Sequence, residues 1–216
     1  MPRLRSRRTV RIPVAPAVNF DTLDDLELVG LSRLDPQIFG VLYERYRQTI
    51  YVYCFRRLGS PERADDATST IFIKAFAALE NYRPKSATSG STFRSWMFSI
   101  AHNVLIDVWR KDRHPVSLDA FDEEVFANFL IDPAHSPEAI AIGAEESRGV
   151  QSLLAQLPER QRAAVELRLS GLTTVEVAQV LGMTVAASKS LQFRAYRILR
   201  DLLRSQSETR TLEAHK

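Results

Sequence analysis

The sequence predicts an all-α protein of two small helical domains joined by a flexible acidic linker, with a helix-turn-helix as the C-terminal domain. Three observations predict this fold class. No convincing run alternates apolar and polar residues as a half-buried strand would. Helix-capping signals recur along the chain, and the charge falls into a basic, an acidic and a second basic block.

The composition narrows the class of protein. The 216 residues carry a net charge of +3, and the single cysteine, Cys54, excludes a disulfide framework and fits a reducing compartment. No apolar run approaches the ~20 residues that span a bilayer, and no apolar signal core follows the basic N-terminus. We therefore expect an intracellular, cytoplasmic protein without membrane insertion.

No motif for catalysis is found in the sequence. The four histidines lack the spacing of metal ligands, and neither a nucleophile motif nor a phosphate-binding glycine loop is present. A helical enzyme is therefore the least favoured class. We expect no metal, no cofactor and no small-molecule substrate.

The domain boundaries follow the charge blocks. The first block holds five arginines and no acidic residue, and the acidic block holds eight carboxylates with neither Lys nor Arg. Pro133 and Pro137 interrupt the acidic block, as is typical of a linker. The predicted parts are a basic arm at 1–20, an N-terminal domain at 21–114, the linker at 115–147, a C-terminal domain at 148–204 and a tail at 205–216.

Capping residues divide the N-terminal domain into helices. A short helix over about 24–34 comes first. Asp35-Pro36 then gives an N-cap followed by proline at the first helical position, and Gly59 is a stop signal. Ser60-Pro61 begins the next helix in the same way. The helices predicted after the first cover about 36–58, 61–80 and, beyond the polar loop "NYRPKSATSGST", 93–112.

The C-terminal domain has the pattern of a helix-turn-helix. A helix that ends at Gly171 precedes a capping box, Thr173-x-x-Glu176. Gly182 ends the short helix that this box begins, and a basic helix then runs to about Leu203. Two helices separated by a short turn that contains glycine are typical of this motif.

The last helix is predicted to bind DNA through its polar stripe. Its inner stripe contains Ser188, Leu191 or Gln192, Ala195, Leu199 and Leu202. In a helix-turn-helix the second helix enters the major groove, where basic side chains contact guanine or phosphate and an aromatic ring contacts a thymine methyl. The alternative is a solvated charged face with Phe193 packed on a neighbour. The candidate DNA ligands are Lys189, Ser190, Phe193, Arg194 and Arg197.

The helix from Phe93 carries a second basic and aromatic region. Its apolar stripe, which includes Trp96, is predicted to face a core, whereas its far end is basic. Aromatic stacking combined with positive charge is how single-stranded bases are held. The alternative is a solvated helix end. Candidate ligands for phosphates and bases are Arg94, His102, Asn103, Arg110, Lys111 and Arg113 on the helix, and Asn81, Tyr82, Arg83, Lys85 and Ser86 in the preceding loop.

Three stretches of the sequence, taken in the order in which they occur along the chain, resemble the extracytoplasmic-function (ECF) sigma factors of the major bacterial sigma family. They are "FGVLYERYRQTIYVYCFRRLGSPERADDATSTIFIKAFAAL", "FRSWMFSIAHNVLIDVWRK" and "LLAQLPERQRAAVELRLSGLTTVEVAQVLGMTVAASKSLQFRAYRIL". The resemblance implies a protein that is not an enzyme, binds core RNA polymerase and directs it to promoters. An anti-sigma factor is a further expected partner.

The resemblance also implies a role for each module. The N-terminal module would hold and melt the −10 element and capture an everted base after Tyr82, and the C-terminal module would read the −35 element. The acidic linker would thread towards the RNA exit path of the polymerase. The residues expected to dock on the polymerase clamp helices are Asp65, Asp66, Ser69, Thr70 and Ile73.

The sequence departs from the family pattern at several of these positions. Ser69 and Thr70 stand where the family usually has glutamine and an acid, and His102 stands where it has arginine. In the recognition helix, Ser188 replaces a valine and Leu191 an arginine. Two other functions therefore stay open: a stand-alone helix-turn-helix regulator acting as a dimer, and a sigma-like protein that no longer opens DNA.

Overall fold

The computed structural model of the protein describes residues 19–83, 92–113 and 149–213. Most of the predicted arm, the loop residues 84–91 and the whole predicted linker lie outside these ranges. Every regular element within them is a helix, as predicted, and none of these helices is long and apolar enough to cross a bilayer. The α-helices are α1 Asp25–Ser32, α2 Phe39–Leu58, α3 Pro61–Ala78, α4 Phe93–Arg113, α5 149–155, α6 Glu159–Leu169, α7 Thr174–Val180 and α8 Val185–Glu213.

The predicted caps form in the N-terminal domain. Ser60 caps α3, and Gly59 ends α2 in the left-handed conformation, with φ of 72°. Asp35 caps a 3-10 turn, Pro36–Ile38, and α2 begins only after it. The aspartate accepts a hydrogen bond from the backbone N–H of Gln37, two residues on, and this short reach favours the tighter turn.

Helices α2, α3 and α4 enclose an aromatic core. Tyr43 meets the edge of Phe72 with the ring centroids 4.7 Å apart, and Tyr53 meets Phe98 at 5.4 Å. Such edge-to-face pairs add about 0.5–1.5 kcal/mol each beyond the area they bury. Arg33, just after α1, donates to the backbone carbonyls of Leu79 and Tyr82 and so ties α1 to the end of α3.

The C-terminal domain contains the predicted helix-turn-helix. The capping box at the start of α7 is present: the Thr173 side chain accepts from the Glu176 N–H, and the Glu176 carboxylate accepts from the Thr173 N–H. Gly171 and Gly182 have positive φ at the predicted turns. Two features differ from the sequence prediction. Helix α5 was not predicted, and α8 continues past Leu203 to Glu213.

The two domains are packed against each other, which the sequence did not predict. Leu167, Leu172 and Val177 of the C-terminal domain belong to the same buried apolar cluster as the core of the N-terminal domain. A smaller separate cluster holds α5, α6 and α8 together around Leu154 and Ala195. Helices α6 and α7 therefore contact both domains, whereas α8 belongs to the C-terminal core.

Candidate nucleic-acid interface

Helix α8 presents the predicted DNA-reading stripe to solvent. The aromatic ring of Phe193 is 70 % exposed, so it is not packed on a neighbouring element. All five candidate residues are exposed, and together they form one stripe: Lys189, Ser190, Phe193, Arg194 and Arg197. Positive side chains around an exposed aromatic ring give this surface the chemistry of a groove-binding helix.

A buried polar network holds α8 against α7 beneath that stripe. Ser188 is fully buried, and its hydroxyl donates to the Thr174 carbonyl at 3.3 Å. The Gln192 side-chain amide donates to the Ser188 hydroxyl at 2.9 Å. The predicted inner stripe is thus confirmed at Ser188, Gln192 and Ala195, and Leu191 is partly buried. The departure at Ser188 replaces an apolar contact with hydrogen bonds that set the orientation of the recognition helix.

The second predicted DNA surface follows α4 and the loop before it. Four of its candidate residues are exposed, and His102 is partly buried. Lys85 and Ser86 lie outside the described residues, as do the side chains of Lys111 and Arg113. The exposed candidates are Asn81, Arg83, Asn103 and Arg110.

Tyr82 differs from the expectation that it helps to hold a base. Its side chain is only 4 % exposed, and its ring lies between Phe93, at 5.6 Å, and Trp96, at 4.8 Å. Its buried hydroxyl has no hydrogen-bond partner among the described residues. A ring enclosed by two others has no free face for a base, so Tyr82 supports the start of α4 here. Trp96 is partly buried on the core side, as predicted.

Arg94, a predicted phosphate ligand, is bound by the C-terminal domain. Its Nη2 and Nε atoms donate to the two carboxylate oxygens of Glu176 at 2.9 and 3.3 Å. Thr92 donates its hydroxyl to the same carboxylate. Although burial raises the pKa of Glu176, the hydrogen bonds from Thr92, Thr173 and Arg94 outweigh it and lower that pKa below the usual value. We refer to Thr92, Arg94 and Glu176 as the Arg94 cluster.

A second charged group joins the domains, and the sequence prediction missed it. Arg57, fully buried at the end of α2, donates to Glu166, also fully buried, at 2.9 Å and to Glu159. Its guanidinium lies 4.6 Å from the centroid of the Trp109 ring. Arg162 pairs with Glu166 at 2.8 Å and donates to the Arg56 carbonyl. No local pattern in the sequence distinguishes these charged residues from others, because Arg57 and Glu166 lie far apart along the chain. We refer to Arg57, Trp109, Glu159, Arg162 and Glu166 as the Arg57 cluster.

A cleft of about 560 Å³ lies between α4 and the C-terminal domain. Three of the predicted −10 ligands, His102, Asn103 and Arg110, line it on one side. Burial, and then the charge of Arg57, lower the pKa of His102 to about 4, so the imidazole is neutral at physiological pH. In this structure the side of α4 that carries these three predicted ligands is turned towards α6 and the end of α7.

The predicted polymerase-binding residues lie along one side of α3. Asp65, Asp66 and Thr70 are exposed, and Ser69 and Ile73 are partly buried. Thr68, on the inner side, donates its hydroxyl to the Ala64 carbonyl one turn back. Asp65, Asp66 and Thr70 therefore lie at the surface of α3, where a partner can reach them, whereas Ile73 packs against the core.

Comparison with known families matches both domains. The model of sigma-70 region 2 matches residues 42–114, and that of sigma-70 region 4 matches residues 147–199. The chain is 31% identical to the ECF RNA polymerase sigma factor BldN of Streptomyces coelicolor, over 87% of this chain and 69% of BldN. It is 33% identical to the RNA polymerase sigma-H factor of Pseudomonas aeruginosa, over 79% of this chain and 89% of that factor.

Solved structures share the fold. CnrH in complex with the cytosolic domain of CnrY is similar with a TM-score of 0.62 and 24% identity, over 84% of this chain and 97% of that one. RpoE of Bartonella quintana in complex with the anti-sigma factor NepR is similar with a TM-score of 0.56 and 21% identity, over 77% and 96%. At these identities the likeness establishes the helical architecture.

Proposed function

This chain belongs to the ECF group of the sigma-70 family, and from this premise we infer that its two domains divide promoter recognition between them. It is an RNA polymerase sigma factor, which binds core polymerase and promoter DNA to initiate transcription. We propose that it acts through binding alone, without a catalytic step of its own, and in the cytoplasm, where its template lies.

The C-terminal domain is proposed to read the −35 element with α8. The observation that carries this proposal is the exposed stripe from Lys189 to Arg197, which is held in place by buried hydrogen bonds beneath it. Lys189 and Arg194 would contact guanine or phosphate, and Phe193 a thymine methyl group or sugar. Contacts of Lys and Arg with phosphate release counterions, so this binding weakens as salt rises.

The N-terminal domain is proposed to bind the −10 element along α4 and the loop before it. Exposed Asn81 and Arg83 lie at the entrance to that loop, and Asn103 and Arg110 lie along the helix. Melting costs a few kcal/mol per unstacked base, which stacking and hydrogen bonds in a protein pocket offset. Arg94 would contact a phosphate once Glu176 releases it.

Core polymerase is proposed to bind the exposed stripe of α3 around Asp65, Asp66 and Thr70. The relatives support a further partner. RpoE of Bartonella quintana was solved with an anti-sigma factor, and CnrH with the cytosolic domain of CnrY. We propose that an anti-sigma factor also restrains this protein. A stand-alone regulator is not favoured, because both sigma regions match in order along the chain.

Run-off transcription tests this function. Purified protein and core polymerase are combined on a fragment that carries the gene's own upstream region. We expect a discrete transcript that requires both proteins. A chain that binds core polymerase yet yields no transcript would instead support the sigma-like protein that no longer opens DNA.

Arg194→Ala tests the −35 assignment separately. Loss of one phosphate contact is expected to weaken duplex binding and to reduce the slope of log affinity against log salt by about 1. The measurement is fluorescence anisotropy of a labelled −35 duplex with the holoenzyme at several salt concentrations. Arg168→Ala, which removes a charge on α6 away from the stripe, is the control. An unchanged slope in Arg194→Ala would contradict groove binding by α8.

A further inference from the structure

The cleft between α4 and the C-terminal domain has the size of a small-molecule site. Its volume of about 560 Å³ lies within the range of ~300–1,000 Å³ that is typical of pockets for drug-sized ligands. Both domains contribute to it: α4 forms one wall, and α6 and the end of α7 form the other. Pockets of this kind are common where two domains meet. Promoter binding by α4 uses only the first wall, so it does not account for the lining of the second.

The inside of the cleft is largely apolar and includes an aromatic ring. The apolar residues that line it are Ile106 and Trp109 on the α4 wall and Ala163, Val180 and Leu181 on the opposite wall. The Trp109 ring is only partly buried, and the Arg57 guanidinium, 4.6 Å from its centroid, helps to hold it in place. An aromatic ring among aliphatic side chains favours a flat aromatic ligand, because ring contacts add to the gain from burying apolar area.

The charged side chains of the cleft leave an excess of positive charge. Glu159 lines it, but this carboxylate is paired with Arg57, and the two arginines and two glutamates of the Arg57 cluster cancel. Arg110 and Arg160 also line the cleft, and both are exposed. Arg110 has a long contact of 4.0 Å with Asp107, and no described residue forms an ion pair with Arg160. Their forked N–H donors match a carboxylate or a phosphate.

Two uncharged polar groups complete the lining. Burial and the charge of Arg57 lower the pKa of His102 to about 4, so its ring is neutral at physiological pH. Its Nδ1 atom lies 3.4 Å from the Tyr53 hydroxyl, which leaves Nε2 for a ligand. The exposed Asn103 amide offers both donors and an acceptor. A few polar groups in an apolar pocket orient a ligand and select among ligands of the same shape.

We propose that this cleft binds a small planar aromatic molecule that carries an acidic group, either a carboxylate or a phosphate. The ring of the ligand lies against Trp109 and the aliphatic side chains, and its acidic group contacts Arg160 and Arg110. Because His102, Asn103 and Arg110 are also proposed −10 ligands, the ligand and a promoter strand exclude each other on α4. That consequence rests on the proposed function, whereas the site itself does not.

A fluorescence titration of the full chain tests the site. The probe is anilinonaphthalene sulfonate (ANS), an aromatic anion that reports binding to apolar surface. We expect saturable binding of one ANS molecule per chain. Arg160→Gln removes an exposed cation from the cleft and is expected to raise the Kd for ANS about three- to fivefold, as the loss of one partly exposed ion pair implies. A thermal melt of the variant should match that of wild type, because the substitution is at the surface.

Arg194→Gln is the matched control. The exposed Phe193 ring on α8 also lies among positive side chains and could attract ANS. Arg194→Gln removes an equal charge from that surface and is expected to leave the Kd for ANS unchanged. If Arg194→Gln weakens ANS binding and Arg160→Gln does not, the probe binds α8 and the proposal fails. A titration of wild type that does not saturate would also overturn it.

Displacement of ANS identifies the chemistry of the ligand. Naphthoate and naphthamide have nearly the same shape and differ in charge. Naphthoate is expected to displace ANS at about three- to fivefold lower concentration than naphthamide, and equal potency would contradict an anionic ligand. Adenosine monophosphate, which joins an aromatic base to a phosphate, separates the two sources of the acidic group. Displacement by it supports a nucleotide, and displacement by naphthoate alone supports an aromatic carboxylate.

Run-off transcription separates failure of the site from failure of the proposed function. Naphthoate added before core polymerase is expected to lower transcript yield, and Arg160→Gln to require about three- to fivefold more naphthoate for the same loss. If ANS binding depends on Arg160 while naphthoate leaves the transcript unchanged, the site stands and its overlap with the −10 surface is contradicted. If ANS binding does not depend on Arg160 while Asn103→Ala lowers transcription, the site fails and the −10 assignment stands.

Discussion

Phe193 shows, at the scale of one residue, how a side chain exposed for binding differs from a side chain that stabilises the fold. A ring that is 70 % exposed contributes little to folding, because most of its apolar area stays in water. Its neighbours Lys189, Ser190 and Arg194 surround it with polar groups, and the four line one shallow depression. Such a ring is useful only when a ligand covers it.

Phe193→Ala is therefore expected to separate binding from stability. We expect the thermal melt to shift by no more than the ~0.5 kcal/mol typical of surface substitutions. Affinity for a −35 duplex is expected to fall about five- to tenfold, as one lost apolar base contact of ~1 kcal/mol implies. Leu169→Ala, which removes a half-exposed apolar side chain on α6, is the matched control and should leave both unchanged. Unchanged DNA affinity in Phe193→Ala would contradict the assignment.

His102 carries a prediction about pH. Burial and the charge of Arg57 lower its pKa in the folded protein to about 4, whereas a free histidine titrates near 6.5. Between these values the unfolded chain binds the proton and the folded protein does not. The contribution of neutral His102 to the free energy of unfolding is therefore complete above about pH 6.5. It is lost as the pH falls towards 4, and it amounts to at most about 3 kcal/mol.

Urea unfolding of wild type and His102→Gln at pH 7.5, 6.5 and 5.5 measures this effect. Wild type is expected to lose free energy of unfolding across the series, and His102→Gln to lose less of it. Carboxylates contribute the same background to both chains, so the difference between the two curves reports His102. Parallel curves would show that His102 is solvated in solution.

At the scale of elements, the helix ends that carry a capping side chain or a glycine stop were predictable because these signals are local. Asp24, Ser60 and Thr173 each cap a helix with their own side chain, and Gly59 ends one with a positive φ. These effects act within four residues, so the sequence contains them directly. The buried side of α8 was also predictable, from the helical spacing of its inner residues. The hydrogen bonds that Ser188 makes were not, since its partner Thr174 belongs to another helix.

Ser188→Ala tests the network that orients α8. It leaves the buried Gln192 amide without its acceptor and removes the part-buried hydrogen bond to the Thr174 carbonyl. The free energy of unfolding is expected to fall by about 1–3 kcal/mol. Ser190→Ala removes a hydroxyl from the exposed side of the same helix and should cost less than ~0.5 kcal/mol. Equal effects in a thermal melt would show that the buried hydroxyl contributes nothing.

At the scale of the whole molecule, the packing of the two domains against each other could not be predicted from the sequence. Arg57 and Glu166 pair across more than a hundred residues, and nothing in the sequence around them distinguishes these buried charges from charges on the surface. Arg94 was predicted to bind phosphate or a base, whereas in this structure it pairs with Glu176, a capping residue of a helix far away in the sequence. The spacing of apolar residues predicts which face of a helix is buried, but it does not predict which other element that face packs against.

With its two domains packed against each other, the molecule cannot contact both promoter elements, and this gives the last prediction. The names of the elements place them about 25 base pairs apart, roughly 85 Å of B-form DNA at about 3.4 Å per base pair. The two domains touch here, but a chain the length of residues 114–148 can reach up to ~120 Å. If each domain binds one element as proposed, we expect polymerase to hold the domains apart, and their joint affinity then comes from effective concentration.

Deleting residues 148–216 should then abolish run-off transcription from a promoter that depends on its −35 element, because the remaining domain loses the second attachment. Binding of the shortened chain to core polymerase, measured by co-purification, is expected to persist through α3. The control is the full chain on a template with a scrambled −35 element, which should fail to the same degree. Transcription that survives the deletion would mean that the N-terminal domain selects the promoter by itself. Loss of polymerase binding would instead place part of that contact on the C-terminal domain.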